Sequence, residues 1–128
     1  MSKNRSKMYI LLLDDPTIDL GHRILSAAHA SLSGYLTFLE YEHSLRKLCH
    51  GESPYEIETT VEKWAKESFR KVVCLVSKEE FEKAKAYGQN MKDYRIMVES
   101  GLGGMEVAIV MRPRDNFEPF FKSLKLYK

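Results

Sequence analysis

KMYILLLDD, residues 7–15, leads through a short polar loop into GHRILSAAHAS, residues 21–31. Residues 8–13 are continuously apolar, which predicts a strand buried on both faces, as in a parallel sheet. The second stretch is rich in small residues and begins a helical pattern. We therefore expect a strand, a loop around Pro16 and a helix, with the cationic pair His22 and Arg23 at the mouth of an α/β sheet.

The rest of the chain continues this alternation of strands and helices. Ser77 and Glu80 form a capping box that opens a helix, and the glycine-rich turn at residues 101–104 is short enough for an antiparallel pair. We expect one mixed sheet with helices on both faces. The predicted strands are residues 8–13, 71–76, 93–98 and 105–111; the predicted helices are residues 21–49, 56–68 and 78–90, with a short last helix capped by Asp115.

The first helix carries an apolar face, as amphipathic helices do where they pack on a core. Gly34 interrupts the helix at a cost of up to ~1 kcal/mol relative to alanine, which allows a bend. The residues that share this face are Leu25, Ala28, Leu32, Tyr35, Leu36 and Leu39.

Length and composition indicate one globular domain, residues 1–128. The net charge of +2 is too small to argue nucleic-acid binding by itself. Basic residues gather at both ends, either as solvated tails or, if the ends meet, as a basic patch. Of the two cysteines, Cys74 is expected to pack as a small hydrophobe, and no disulfide framework is indicated. Without a predicted signal peptide or membrane span, a cytoplasmic location is expected.

Several segments, in their order and spacing, resemble the archaeal/eukaryotic-type (type 2) peptidyl-tRNA hydrolase family. The similarity covers most of the chain, and no single motif carries it. Between the first helix and Trp64 this chain is longer than the family, over residues 48–56 among others. The segments are Lys7-Met8-Tyr9, Ala27-Ala28-His29-Ala30, Lys71-Val72-Val73, the helix around Lys83 to Tyr87, Glu99-Ser100-Gly101 and Ser123-Leu124-Lys125-Leu126-Tyr127.

The resemblance implies a three-layer α/β/α sandwich that hydrolyses the ester between a peptide and the 3′ end of tRNA without metal or cofactor. It implies tRNA as a partner, no membrane, and a homodimer. The family's site has a lysine, a histidine, an aspartate and a loop hydroxyl. Here His22 stands at the lysine position, Glu99 stands at the aspartate position, and the hydroxyl position falls in the turn at Gly103 and Gly104.

The residues suggest a chemistry for this site. A histidine with an ordinary pKa near 6.5 suits a general base, so His22 is the candidate base and Glu99 the group that orients it or the water. We expect both in one cleft, within about 10 Å of each other. Arg23 is the candidate phosphate contact. The alternative is that all three are exposed surface residues.

Two further features have competing interpretations. His29, within the first helix, is either a partly buried histidine with its hydrogen bonds satisfied or an additional catalytic residue. Gly101, Gly103 and Gly104 form either a plain turn or a nest for a phosphate. A metal site is not predicted, because the spacing of four candidate ligands matches no standard zinc pattern. They are Glu42, His43, Cys49 and His50.

Three functions remain open from the sequence. The first is hydrolysis of an acyl ester on tRNA or a related substrate. The second is a catalytically silent binding protein of the same fold. The third is a hydrolase or transferase of a small acylated molecule.

Overall fold

The structure, a computed structural model, describes residues 4–50 and 58–128, with the side chains of residues 49 and 50 outside that description. Most of the added segment at residues 48–56 therefore lies outside the described residues. The strands are β1 (Lys7–Leu13), β2 (Arg70–Val76), β3 (Tyr94–Glu99) and β4 (Met105–Met111). The helices are α1 (Leu20–His50), α2 (Thr60–Lys66), α3 (Lys78–Ala84) and α4 (Pro119–Lys122), with 3₁₀ turns at Lys85–Tyr87 and Ser100–Leu102.

The four strands form one sheet in the order β2-β1-β4-β3. β1 pairs with β2 in parallel and with β4 antiparallel, and β3 pairs antiparallel with β4. The predicted mixed four-stranded sheet is therefore confirmed, with β1 inside it. β1, β2 and β3 consequently run in the same direction, so their carboxyl ends and the loops that follow them lie at the same end of the sheet.

Helical segments cover both faces of the sheet, because neighbouring residues of a strand point to opposite sides. Ile10 is paired with Val110, whose side chain approaches Gly34 of α1. On the other side, the Tyr9 ring lies 4.5 Å from that of Phe117 and 5.7 Å from that of Phe121, measured between centroids. This alternation places α1 on one face and α4 on the other.

Of the two helix starts predicted from capping residues, that of α3 is confirmed and that of α4 is not. The capping box of Ser77 and Glu80 opens α3 as predicted, and α3 then tightens into a 3₁₀ turn after Ala84. The predicted cap at Asp115 is wrong. The Asp115 carboxylate instead accepts a hydrogen bond from the hydroxyl of Ser6, 2.8 Å away, and α4 begins later, with Pro119 in its first turn.

The apolar face predicted for α1 is largely turned away from the sheet. Leu25, Leu32 and Leu36 are each about half exposed or more, whereas the side toward the sheet carries mostly small residues. The helix continues through Gly34, where a Cβ would lie only 2.9–3.0 Å from the Val110 methyl groups. The small residues let α1 approach β4 closely, and the leucines do not fit there. The buried residues on this side are Ser26, Ala30, Gly34 and Phe38.

The chain end covers the outer edge of β2. The backbone N–H of Leu75 donates to the carbonyl of Lys125 at 3.0 Å, and that of Tyr127 donates to the carbonyl of Val73 at 2.9 Å. These antiparallel contacts satisfy backbone groups that an open edge strand would leave unpaired. They also bring Tyr127 to the end of the sheet where α1 begins.

Replacing Gly34 with alanine is expected to destabilise the protein. Overpacking costs about 1–3 kcal/mol, and the gain in helix propensity returns about 1 kcal/mol. We expect the free energy of unfolding, measured by chemical denaturation, to fall by up to about 2 kcal/mol. Gly21→Ala is the matched control, because a Cβ there meets nothing closer than 3.4 Å. Equal effects of the two substitutions would contradict the close approach of α1 to β4.

Cys74 is expected to be unreactive in the folded protein. It is 1% exposed, and burial, with a further contribution from Glu80, raises the pKa of its thiol to about 11. In a Cys49→Ser background, alkylation near pH 8 should require denaturant, since the thiolate is the nucleophile. The unfolded chain ionises this thiol near pH 9, so its contribution to stability is lost as pH rises from about 9 toward 11. Rapid alkylation without denaturant would show that Cys74 is accessible.

Candidate functional site

An open groove of about 610 Å³ lies between α1 and the end of β3. It contains two of the candidate catalytic side chains, His29 from the helix and Glu99 from the strand end. Hydroxyl groups and apolar side chains complete its walls. The lining residues are Ser26, His29, Leu32, Ser33, Leu36, Thr37, Met97, Val98, Glu99, Ser100 and Val107.

Glu99 is held at the groove by the turn that follows β3. Its Oε1 accepts a hydrogen bond from the N–H of Gly101 at 3.0 Å, and its carbonyl accepts one from the N–H of Gly104 at 3.1 Å. The N–H of Gly103 donates to the carbonyl of Ser100 at 3.2 Å. All three glycine N–H groups are thus engaged within the turn, which is the arrangement of a plain turn.

The same turn requires glycine at two positions. Gly103 and Gly104 have φ angles of 70° and 81°, a region that residues with a Cβ rarely adopt. Two successive left-handed residues return the chain from β3 into β4. The two glycines therefore have a conformational reason in this chain.

His29 is exposed on α1, so the interpretation as a partly buried histidine is wrong. The helix turns its small-residue side to the sheet, and His29 lies on the wall of the groove instead. Ser26, Ser33 and Thr37 line the same groove at helical spacing, and the sequence analysis did not select them. Polar side chains recur at positions i, i+3, i+7 and i+11 of this helix, with His29 among them. This repeat is the sequence pattern that could have identified the polar wall of the groove.

His22 lies in the first turn of α1 and contacts Asp19. One carboxylate oxygen of Asp19 accepts the backbone N–H of His22 at 2.8 Å and lies 3.0 Å from the ring Nδ1. Both hydrogen bonds lower the pKa of the Asp19 carboxyl group, and the one from the backbone N–H of His22 has the larger effect. A ring that donates from Nδ1 keeps Nε2 as its basic nitrogen.

Arg23 binds the loop before α1 and the end of the chain. Its Nη2 lies 3.3 Å from the carbonyl of Asp15 and 3.6 Å from the carboxylate of Asp14, and its Nη1 lies 3.4 Å from the Tyr127 hydroxyl. Its Nε is buried without a hydrogen-bond partner among the described residues. These contacts join β1, α1 and the chain end.

The predicted site residues therefore fall into two groups. Glu99 and His29 line the groove, with the glycine turn next to Glu99. His22 and Arg23 do not line it and are held by contacts at the loop between β1 and α1.

The described residues contain no group of three or more His, Cys, Asp and Glu side chains placed to hold a metal ion. Two of the candidate ligands considered above, Cys49 and His50, have side chains outside that part of the chain. Within the described ranges, no helix combines the length and apolar character needed to cross a membrane. Comparison with protein-family models and with curated proteins found no match to this chain.

Removing the Arg23 side chain is expected to weaken folding. Arg23→Ala deletes a mostly buried guanidinium that contacts two separate segments, the loop before α1 and the chain end. Hydrogen bonds of charged groups contribute about 1.5–3 kcal/mol when well formed. Because these contacts are long, we expect a loss of about 1 kcal/mol, measured by chemical denaturation. Arg5→Ala, at an exposed position, is the control. If Arg23→Ala is as stable as the wild type, the contacts of Arg23 do not stabilise the fold, and ligand binding is the role that remains for it.

Proposed function

We propose that this protein hydrolyses an acyl ester on tRNA or a related substrate in the groove between α1 and the turn after β3. The observation that carries this proposal is the presence of His29 and Glu99, an imidazole and a carboxylate from distant parts of the sequence, in one open groove. An imidazole and a carboxylate that line the same groove are groups suited to activating water.

The resemblance to type 2 peptidyl-tRNA hydrolases supports the choice of reaction. Two of the segments that share it, around His29 and around Glu99, belong to elements that line this groove. The mixed α/β sheet agrees with the fold that the resemblance implies, and the family's specific fold is part of the proposal. The groove volume of about 610 Å³ lies within the usual range for small-molecule sites, so it suits the terminal nucleotide and the ester of a larger substrate.

In the proposed reaction, His29 accepts a proton from a water molecule as the water oxygen attacks the ester carbonyl carbon. The carbonyl oxygen becomes an oxyanion, which hydroxyl groups among the lining residues Ser33, Thr37 and Ser100 would stabilise as donors. The tetrahedral intermediate then breaks its bond to the ribose oxygen. This oxygen leaves with the proton from the imidazole, which gives free tRNA and a carboxylic acid.

Glu99 has an orienting role in this proposal. Its Oε1 is bound to the turn, so Oε2 is the oxygen we assign to the water or to the protonated imidazole. His22 and Arg23, which do not line the groove, would contact the substrate phosphates, His22 through Nε2 and Arg23 by small movements of its guanidinium. Both side chains already have protein contacts, His22 with Asp19 and Arg23 with the loop before α1.

A silent binding protein of the same fold is the second candidate. The observation that favours it is the absence of side chains at Gly103 and Gly104 in the turn. A Cβ added at either position would have no heavy atom within 4 Å. No hydroxyl can be presented from those positions. Such a protein would bind acylated tRNA in the same groove and release it unchanged.

The decisive experiment is hydrolysis of purified peptidyl-tRNA, followed by the release of free tRNA. We expect turnover by the wild type. His29→Ala should lower kcat by roughly 10²–10⁴-fold, the usual contribution of a positioned acid or base. Glu99→Gln should lower kcat less, because the amide keeps the bond to Gly101 but loses the charge.

His22→Ala is the matched comparison, because it removes an imidazole from the same helix outside the groove. We expect a smaller loss than for His29→Ala, and thermal unfolding should show that both variants are folded. A larger loss for His22→Ala would move the base to the first turn of α1. Binding of peptidyl-tRNA without turnover would establish the silent binding protein, and neither binding nor turnover would reject both candidates.

A further inference from the structure

A second groove, of about 360 Å³, opens between α1 and α2. Apart from the hydroxyl groups of Ser31 and Tyr35, its walls are aliphatic and aromatic. This volume lies at the lower end of the range for small-molecule sites, so the groove suits a short ligand. Of its lining residues, Leu32 alone also lines the groove that contains His29 and Glu99. The aliphatic and aromatic residues of this apolar groove are Ala28, Leu32, Tyr35, Trp64, Ala65 and Phe69.

Hydrogen bonds hold the aromatic end of the apolar groove. Trp64 is 1% exposed, and its Nε1 donates to the carbonyl of Arg70 at 2.8 Å. The N–H of Phe69 donates to the carbonyl of Trp64 at 2.6 Å. The centroids of the two rings lie 5.2 Å apart, with an angle of 44° between the ring planes. The protein alone therefore sets the shape of this end of the groove.

Phe69 is both strained and exposed. Its φ angle is 50°, a conformation that bulky side chains rarely adopt, and the residue is 56% exposed. Because so much of the ring is accessible to solvent, core packing does not explain why the strain is kept. Backbone strain of this kind clusters at positions that contact ligands.

The ammonium group of Lys71 lies at the same end of the apolar groove. Its Nζ lies 3.2 Å from the centroid of the Phe69 ring and 5.3 Å from that of the Trp64 ring. It donates to the carbonyl of Phe69 at 3.3 Å, which leaves two of its three N–H groups for another acceptor. Within the described residues Lys71 forms no ion pair, and burial lowers the pKa of its ammonium group.

The charges around the apolar groove favour an anion at its aromatic end. Residues 24–39 of α1 contain no Asp, Glu, Lys or Arg. Glu67, where α2 ends, is exposed and forms no ion pair with Lys71. Arg70 adds a second positive charge next to Lys71 in the chain. The groove thus combines an apolar recess with a cation that has no carboxylate partner in the described part of the chain.

We propose that the apolar groove binds a medium-chain carboxylic acid as its anion. The apolar chain lies between α1 and α2, and the carboxylate accepts hydrogen bonds from Lys71 Nζ. Burial of the chain supplies affinity in proportion to the apolar area removed from water. The ammonium supplies the preference for an anion, because a charge-assisted hydrogen bond is stronger than a neutral one. An alkylammonium ion would meet Lys71 as a like charge.

The test uses the full chain and its single tryptophan as the reporter. Bromine quenches indole fluorescence on contact, so ω-bromooctanoate bound in the apolar groove should quench Trp64. We expect saturable quenching with a Kd below about 1 mM. The neutral probe ω-bromooctanol has the same chain without the charge, and we expect it to bind at least about tenfold more weakly.

Lys71→Gln tests the role of the cation. It should raise the Kd of ω-bromooctanoate about tenfold and leave that of ω-bromooctanol within about threefold of the wild-type value. Arg70→Gln is the matched control, because it removes a positive charge from the adjacent residue of β2, whose side chain points to the opposite face of the sheet. It should change either Kd by less than about threefold.

Ala28→Leu tests the recess itself. Ala28 is exposed on α1 and lines the apolar groove, so a larger side chain fills the recess without entering the core. We expect both probes to bind at least about tenfold more weakly, with the thermal unfolding temperature unchanged. This variant keeps the proposal testable even where a substitution in β2 impairs folding.

Four results would each overturn the proposal. They are quenching that does not saturate, equal affinity for the two probes, equal effects of Lys71→Gln and Arg70→Gln, and unchanged binding by Ala28→Leu. None of these measurements depends on the proposed hydrolysis. Binding of the carboxylate by a protein without hydrolase activity would reject only the proposed function, and hydrolysis without carboxylate binding would reject only the inferred site.

Discussion

The structure depends on the complete burial of β1. Its neighbours β2 and β4 satisfy its backbone on both sides, and helices cover both of its faces. Six of its seven residues are buried, from Met8 to Leu13. Each large apolar side chain removed from water contributes about 1.5–3 kcal/mol, so this strand is a large source of hydrophobic stabilisation. Asp14 and Asp15 then mark the point where the chain leaves the core.

The position of β1 determines where α1 begins and which way it runs. The N–H of Asp14 donates to the carbonyl of Val76 at 2.7 Å, which extends the parallel pairing one step beyond the strand. The loop then turns back, and α1 crosses the sheet from the edge where β1 and β2 end. Arg23 joins this loop to the chain end, so the start of the helix is held on two sides.

Helix α1 separates two surfaces with different properties. Its small-residue side allows the close contact with β4, which leaves the leucines on the outside as a ridge. The groove with His29, Glu99 and hydroxyl groups lies against one flank of these leucines, and a second groove near Trp64 and Phe69, lined mostly by apolar side chains, lies against the other; Leu32 lines both.

The sequence by itself determined the strands, their mixed arrangement and the capping box at Ser77, because apolar runs, turn glycines and caps act over a few residues. It also indicated Glu99 and His29 as candidate site residues, through local segments and the family resemblance. It misplaced the last helix, since Asp115 has a partner 109 positions away in Ser6. Which side of α1 faces the sheet was decided only by the tertiary structure. Hydrophobic periodicity favoured the leucines, but the short distance between helix and sheet at Gly34 admits only small side chains.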